Sequence, residues 1–140
     1  MEKKNKTARV ISSATLDRYL GAIMVLRRRV AIVRSVDVAN YLGYSKACVC
    51  VAVKQMILEG LVLVERHGAL TLSDAGERRA HAHLERCDFF QRLLIQSGVE
   101  AEAARQEADA ITRALSGSSF EALRRYLGGL GVPARKAGAE

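Results

Sequence analysis

The sequence predicts a mainly α-helical fold with one small two-stranded sheet, and three features predict it. Two helical runs within residues 35–60, "SVDVANYLGYSKACVCVAVKQMILEG", meet at a tight turn containing Gly43. Two β-rich runs, "LVLVER" and "ALTLS", follow at once around "HG" at 67–68. The segments after residue 73 carry helical spacing again, as far as Leu127. A helix-turn-helix followed by a hairpin is the winged helix-turn-helix arrangement, here continued by an all-helical domain.

Each element has a local cause. Residues 1–12 are polar and basic and read as a flexible arm. From Leu16 to Leu26, Leu16, Tyr19, Leu20, Ile23 and Leu26 recur at helical spacing, with Ser13 or Thr15 placed to cap the helix. Gly21 costs this helix about 1 kcal/mol relative to alanine, which points to a packing requirement or a lost side chain. "RRR" at 27–29 follows, where positive charge suits the end of the helix dipole. Ser35 is placed to cap a short helix through Leu42, with Val36, Ala39 and Leu42 inward and Gly43 just past its end. Ser45 caps a second helix to Leu58, closed by Gly60, with Val49, Val53, Met56 and Ile57 inward. Ser73 caps a long helix over 74–95 that Ser97-Gly98 breaks. A helix over 100–115 and a last one, capped between Ser116 and Ser119 and ending at Leu127, complete the pattern. The expected organisation is an arm (1–12), a winged helix-turn-helix domain (13–80), a helical domain (81–130) and a disordered Gly/Ala-rich tail (131–140).

Composition narrows the class. Nearly half of the 140 residues are apolar, enough for a core, and there is no tryptophan. No apolar run approaches the ~18–20 residues a membrane span needs, and the basic start lacks the apolar block of a secretory signal. Three cysteines, an odd number, fit thiols in a reducing cytoplasm. Residues 1–80 carry 14 Lys and Arg against 7 Asp and Glu, whereas residues 81–140 carry 8 against 8. A GC-rich genome explains many arginines but not their segregation from acids. A basic module joined to a neutral one fits a head for double-stranded DNA and a separate assembly unit. No nucleophile–base pairing, phosphate loop or paired-carboxylate motif indicates an enzyme.

In this arrangement the second helix of the pair enters the major groove with its N-terminal residues first. Its first turn offers Ser45, Lys46 and Ala47, and its exposed face continues through Cys50 and Lys54. Small residues at the front allow close approach, Ala47 to a thymine methyl and Ser45 to a base edge or phosphate. Arg66 and His67 at the wing tip, and Arg27, Arg28 and Arg34 ahead of the helix pair, suit phosphate or minor-groove contacts. Cys48 and Cys50, two apart, point to different helical faces and form no chelate; Cys48 reads as core and Cys50 as an exposed thiol.

The order of "LDRYLGAIMVL", "VDVANYLGYSKACVCVAVKQM", "LTLSDAGERRA" and "LERCDFFQRLLIQSGVE" resembles the diphtheria-toxin-repressor family, in its two-domain, manganese-transport-regulator branch, from about residue 14 to 127. The resemblance implies a cytoplasmic bacterial repressor, homodimeric through its later helices together with the first. A divalent ion such as manganese or iron would favour the DNA-binding state. It also places the family's metal ligands on Arg18, Gly21, Cys87, Asp109, Thr112 and Arg113, of which Cys87 and Asp109 keep ligand chemistry. A selective site wants about four ligands. Metal-independent regulation follows as the expectation, with no cofactor and with Arg18 and Arg113 facing Asp109 so that fixed charge replaces the ion. "DAITR" at 109–113 is otherwise an exposed i,i+4 ion pair. The alternative is a responsive repressor with a shifted set, in which His83, one turn before Cys87, joins Cys87 and Asp109 to bind manganese, iron or zinc. Against that set, His81 and His83 read as surface residues of an Arg-rich helix. Two further readings are an oxidant-sensing Cys87 beside guanidinium groups and a winged helix that binds protein without DNA affinity.

Overall fold

Ser12, not Ser13 or Thr15, caps the first helix: the Thr15 N–H donates to its Oγ at 3.2 Å. A computed structural model describes residues 10–129; residues 1–9 and 130–140, where the sequence places most of the arm and the tail, lie outside the described residues. The elements run α1 (Ser13–Leu26), α2 (Ser35–Leu42), α3 (Lys46–Leu58), β1 (Val62–Val64), β2 (Leu70–Leu72), α4 (Asp74–Gln96), α5 (Ala101–Ala114) and α6 (Gly117–Gly129). Two compact units divide between His81 and Ala82, inside α4. The fold is mainly α, a winged helix-turn-helix followed by an all-helical domain.

In the first unit, α1 contributes Leu16, Leu20, Ile23 and Met24 to the core. The α2 N-terminus is Arg34, one residue before the expected Ser35, and its N–H donates to Asp37 Oδ2 at 2.8 Å. Gly43 takes the left-handed φ of 75° that the turn requires, and its N–H reaches the Ala39 carbonyl at 2.8 Å. Ser45 caps α3 as expected, accepting the Cys48 N–H at 3.1 Å.

Three inward assignments change. The α2 core residues are Val38 and Ala39, while Val36 is 42% exposed. On α3 the buried stripe is Val49, Ala52, Val53 and Met56, so Ile57 is 43% exposed and Ala52 takes a core place. The buried α3 spacing is i, i+3, i+4, i+7; Ile57 lies beyond this stripe, and on α2 a strict step of three drifts off a 3.6-residue helix. Cys48, expected in the core, is exposed near the α3 N-terminus; it borders a largely apolar groove lined also by Ile11, Thr15, Tyr19, Tyr44, Ala47 and Val51.

The wing is antiparallel, with Val62 opposite Leu72 and Val64 opposite Leu70. Its tip spans Glu65–Ala69, longer than the two residues "HG" suggest, and turns through a left-handed His67 at φ 58°. The Leu70 N–H donates to the Val33 carbonyl at 2.8 Å, tying the wing to the segment before α2. Ser73 joins the end of the wing to α4: its Oγ donates to the Gly60 carbonyl at 2.6 Å and accepts the Gly76 N–H at 3.0 Å. Two arginines brace the same unit. Arg27 forms a bidentate pair with Glu77, and Arg79 Nε donates to Asp17 Oδ1 at 2.7 Å.

The second unit has its own core. Phe89, Phe90 and Phe120 meet edge to face, with centroids 5.3–5.7 Å apart, around Ala108 and with Leu93, Leu94, Ile111, Leu115, Leu123 and Leu127 packed against them. Arg86 and Arg124 each place a guanidinium carbon 5.4 Å from the Phe120 centroid. Among the described residues no helix is long and apolar enough to cross a membrane.

Candidate functional site

Burial of Val49, Ala52, Val53 and Met56 fixes which side of α3 faces outward. The stripe opposite them runs Ala47, Val51, Lys54 and Leu58, with Lys46 and Cys50 beside it, and all six are exposed. Ser45 is exposed at the head of the helix. The structure therefore groups the four α3 candidates, Lys46, Ala47, Cys50 and Lys54, with Ser45 on one surface, and it adds Val51, which is 51% exposed. Sequence reasoning missed Val51 because a valine among valines looks like core; its place one turn after Ala47 is the signal that finds it.

Arg66 and His67 are exposed at the wing tip. Arg34 is placed with them for a structural reason: its Nε donates to the His67 carbonyl at 2.8 Å, so its side chain braces the left-handed turn. Arg27 is engaged by Glu77.

A second group forms in the other unit. His83 and Cys87 sit one turn apart on α4, and Asp109 projects from α5. His83 is 6% exposed, so its reading as a surface residue is overturned; the Arg-rich character of α4 lies on other faces. Its Nε2 is 3.5 Å from Cys87 Sγ and 4.0 Å from Asp109 Oδ1. One ligand atom from each of the three residues lies within 4.8 Å of the others. The second oxygen of Asp109 is 3.5 Å from Arg113 Nε, the i,i+4 contact of "DAITR". Thr112, one turn after Asp109, is buried and its Oγ1 has no hydrogen-bond partner. In the first unit, Arg18 donates to the Tyr44 hydroxyl and lies 5.2 Å from that ring's centroid.

No family model matches the chain. The transcriptional regulator MntR of Escherichia coli O6:H1 is 30% identical to it over 111 residues, which cover 79% of this chain and 72% of that protein. The chain belongs to the MntR-like family of metal-dependent transcriptional regulators. MntR of Salmonella typhimurium is 27% identical over 111 residues, covering 79% of this chain and 71% of that protein. Among solved structures, a manganese-dependent transcriptional repressor in complex with manganese matches with a TM-score of 0.72 at 26% identity, over 86% of this chain and 55% of that one. The manganese regulator SloR matches in fold, with a TM-score of 0.70 at 23% identity over 81% of this chain and 53% of that one. The chain spans about half the length of these solved structures.

MntR-like membership makes the donor set the point to test. One imidazole, one thiol and one carboxylate form a borderline-soft set, whereas manganese prefers several oxygens. In a tetrahedral site, metal–sulfur and metal–nitrogen bonds of about 2.3 and 2.0–2.1 Å put the two ligand atoms roughly 3.5 Å apart. The sulfur-to-nitrogen distance here is 3.5 Å. The imidazole-to-carboxylate edge, at 4.0 Å, is longer than the ~3.4 Å such a site needs. Arg113 holds the outer oxygen of Asp109, the position of a partner that orients a ligand. The orphaned Thr112 hydroxyl is a further polar atom on the same helical face. The residues present fit a zinc-type ion better than manganese.

Proposed function

We propose that this chain is a DNA-binding transcriptional regulator of the MntR-like family whose effector is a thiophilic divalent ion, zinc in type, in place of manganese. The observation that carries the reading is the convergence of His83, Cys87 and Asp109, with one ligand atom of each within 4.8 Å of the others. Ser45, Lys46, Ala47, Cys50, Val51 and Lys54 meet the major groove, and Arg66 and His67 meet the flanking backbone, with Arg34 holding the wing tip. The electrically balanced second unit joins two copies into a homodimer, as the family resemblance implies.

A bound ion would supply fixed positive charge shared by α4 and α5. The chain's own residues do the rest. His83 and Cys87, one turn apart on a helix, present their ligand atoms without backbone rearrangement. Asp109 closes the set from α5, and Arg113 keeps its carboxylate turned. Loss of a ligand removes both a bond and the reason for a buried histidine.

The second reading is metal-independent regulation, favoured by the 3.5 Å contact of Arg113 with Asp109, where guanidinium charge neutralises the carboxylate. Chelator-stripped protein titrated with Zn²⁺, Co²⁺, Mn²⁺ and Fe²⁺, with and without duplex DNA, separates the two. The proposal expects stoichiometric zinc and cobalt binding, a thiolate-to-cobalt absorption band lost in Cys87→Ser, and weak manganese binding. Tight DNA binding by a chain that takes up none of the four ions would establish the metal-independent reading. A chain that ignores duplexes even in dilute buffer would instead be a protein-interaction module.

A further inference from the structure

The groove beside the head of α3 gathers two phenols and a thiol that the proposed DNA surface does not use. Its apolar walls are Ile11, Ala47 and Val51, and its volume is about 780 Å³, within the ~300–1,000 Å³ usual for a small-molecule site. Gln55 fixes the Ile11 wall: its Oε1 accepts the Ile11 N–H at 2.9 Å and its Nε2 donates to the Ile11 carbonyl at 3.0 Å. Tyr19 enters the groove from α1, Tyr44 from the turn before α3, and Cys48 from the first turn of α3. The two tyrosine rings have centroids 5.4 Å apart and are tilted by 54°.

Each polar group is in a different state. Tyr19 is only 2% exposed, yet it lines the groove and its hydroxyl makes no hydrogen bond among the described residues. Burial, and then Tyr44 and Cys48, push its pKa up to about 12 against a smaller opposing pull from Arg18, so the hydroxyl keeps its proton and stays a donor. The Tyr44 hydroxyl accepts from Arg18, which leaves its own O–H to donate and strengthens it as a donor. Cys48 is exposed at the groove's edge and supplies a sulfur nucleophile. Apolar walls, two phenol donors and a thiol together suit a molecule with an apolar body, a carbonyl acceptor and a carbon that sulfur can attack. A saturated ketone would use the walls and the donors but leave the thiol idle.

We propose that this groove is a covalent site for apolar α,β-unsaturated ketones and aldehydes, held at their carbonyl oxygen by Tyr19 and Tyr44 and captured by Cys48 Sγ. In the capture step the thiolate sulfur forms a bond to the β-carbon, and the C=C π pair shifts to leave an enolate on the carbonyl oxygen. The thiol has lost its proton to solvent and solvent returns one to the α-carbon. The product is a saturated thioether, and no oxidant or reductant is consumed. Ala47 borders both the groove and the outward stripe of α3. A thioether on its neighbour adds bulk at the leading turn, where small side chains allow approach to bases, and so releases duplex DNA. That consequence rests on the DNA-binding reading above; the capture step does not.

Peptide-mapping mass spectrometry on the full chain, without DNA, gives the rate of modification at Cys48 and at Cys50, which is exposed on the same helix but outside the groove. The probes are methyl vinyl ketone, its pentyl-substituted homologue, and iodoacetamide as a thiol reagent that needs no groove. The Cys48-to-Cys50 rate ratio is expected to be roughly 15-fold higher for the pentyl enone than for the short one, because two buried methylenes contribute about 0.8 kcal/mol each. Tyr19→Phe and Tyr44→Phe should each slow capture of the pentyl enone at Cys48 about fivefold, the effect of one hydrogen bond of about 1 kcal/mol, and leave the iodoacetamide rate unchanged. Equal ratios for the two enones overturn the site, as do tyrosine variants that leave the enone rate unchanged or slow both reagents alike. Duplex binding should be lost in the enone-treated chain and kept in Cys48→Ser treated in the same way. A treated chain that binds duplex as tightly as before overturns the regulatory consequence. An untreated chain that binds no duplex removes the DNA reading alone, while the rate ratio and the tyrosine effects continue to support the site.

Discussion

Replacing Gly76 by alanine opposes a local preference to a tertiary one. Gly76 is the third residue of α4, where helix propensity alone predicts a gain of up to about 1 kcal/mol from alanine. A Cβ there would stand 2.1 Å from the Leu61 carbonyl oxygen and 3.1 Å from its carbon. Both obstacles are backbone, and the shortfall from ordinary contact is about 1.3 Å. Relief requires α4 to move away from the start of β1. That strains the Ser73 N–H bond to Leu61 at 3.0 Å, the Ser73 Oγ bond to Gly60 and the Gly76 bond to Ser73. Overpacking of this kind costs about 1–3 kcal/mol and each weakened bond up to about 1 more, so a net loss of roughly 2 kcal/mol is expected after the propensity gain. Urea unfolding followed by far-UV circular dichroism, in chelator and at fixed protein concentration, reads this as a lower midpoint at unchanged slope. Gly128→Ala, with nothing within 4 Å of its Cβ, serves as the comparison and should be neutral or slightly stabilising. A Gly76→Ala midpoint equal to or above that of the parent chain would refute the packing argument.

Other expectations come from single groups. The hydrogen bond from Arg27 holds the Glu77 carboxyl below the usual glutamate range, so its contribution is present above the unfolded value and is lost as pH falls through the lowered one. As the pair is well exposed, Glu77→Gln should cost no more than about 1 kcal/mol near neutrality and should flatten the acid limb of a stability–pH curve. Tyr19 is pushed up to about 12 by burial, and further by Tyr44 and Cys48, so the folded state keeps a proton that the unfolded chain releases; stability falls as pH rises between the unfolded value and about 12. Phenolate absorbance should show a late component that Tyr19→Phe removes, and a single ionisation step for all four tyrosines would contradict it. Thr112→Val removes a buried hydroxyl without a partner and should raise the stability of chelator-treated protein by about 1 kcal/mol; a marked loss would show that the hydroxyl is satisfied in solution.

How much of this was legible in the chain depends on the range of the interaction. Ser45 before "KACV", Gly43 after "NYL" and Ser73 before "DAG" act within four residues, and each caps or closes the element expected of it. The excess of positive charge before residue 80 likewise needs no fold to be counted. Position around a helix is not local: the sequence pattern puts Val36, Ile57 and Cys48 inward, yet all three are exposed, because apolar residues lie on nearly every face of α2 and α3 and composition cannot choose among faces.

By itself, then, the sequence determined the order of the helices and their ends to within a residue or so, that a wing follows the helix pair, and which half of the molecule is cationic, since all three follow from near-neighbour chemistry. Only the tertiary structure decided that His83 is buried beside Cys87 and Asp109, that Gln55 grips Ile11, and that Gly76 must lack a side chain. Those outcomes depend on which faces of separate elements meet. That choice is made by packing the whole core at once, because neither a histidine nor a glutamine carries in its neighbours the identity of the residue it will touch 26 or 44 positions away.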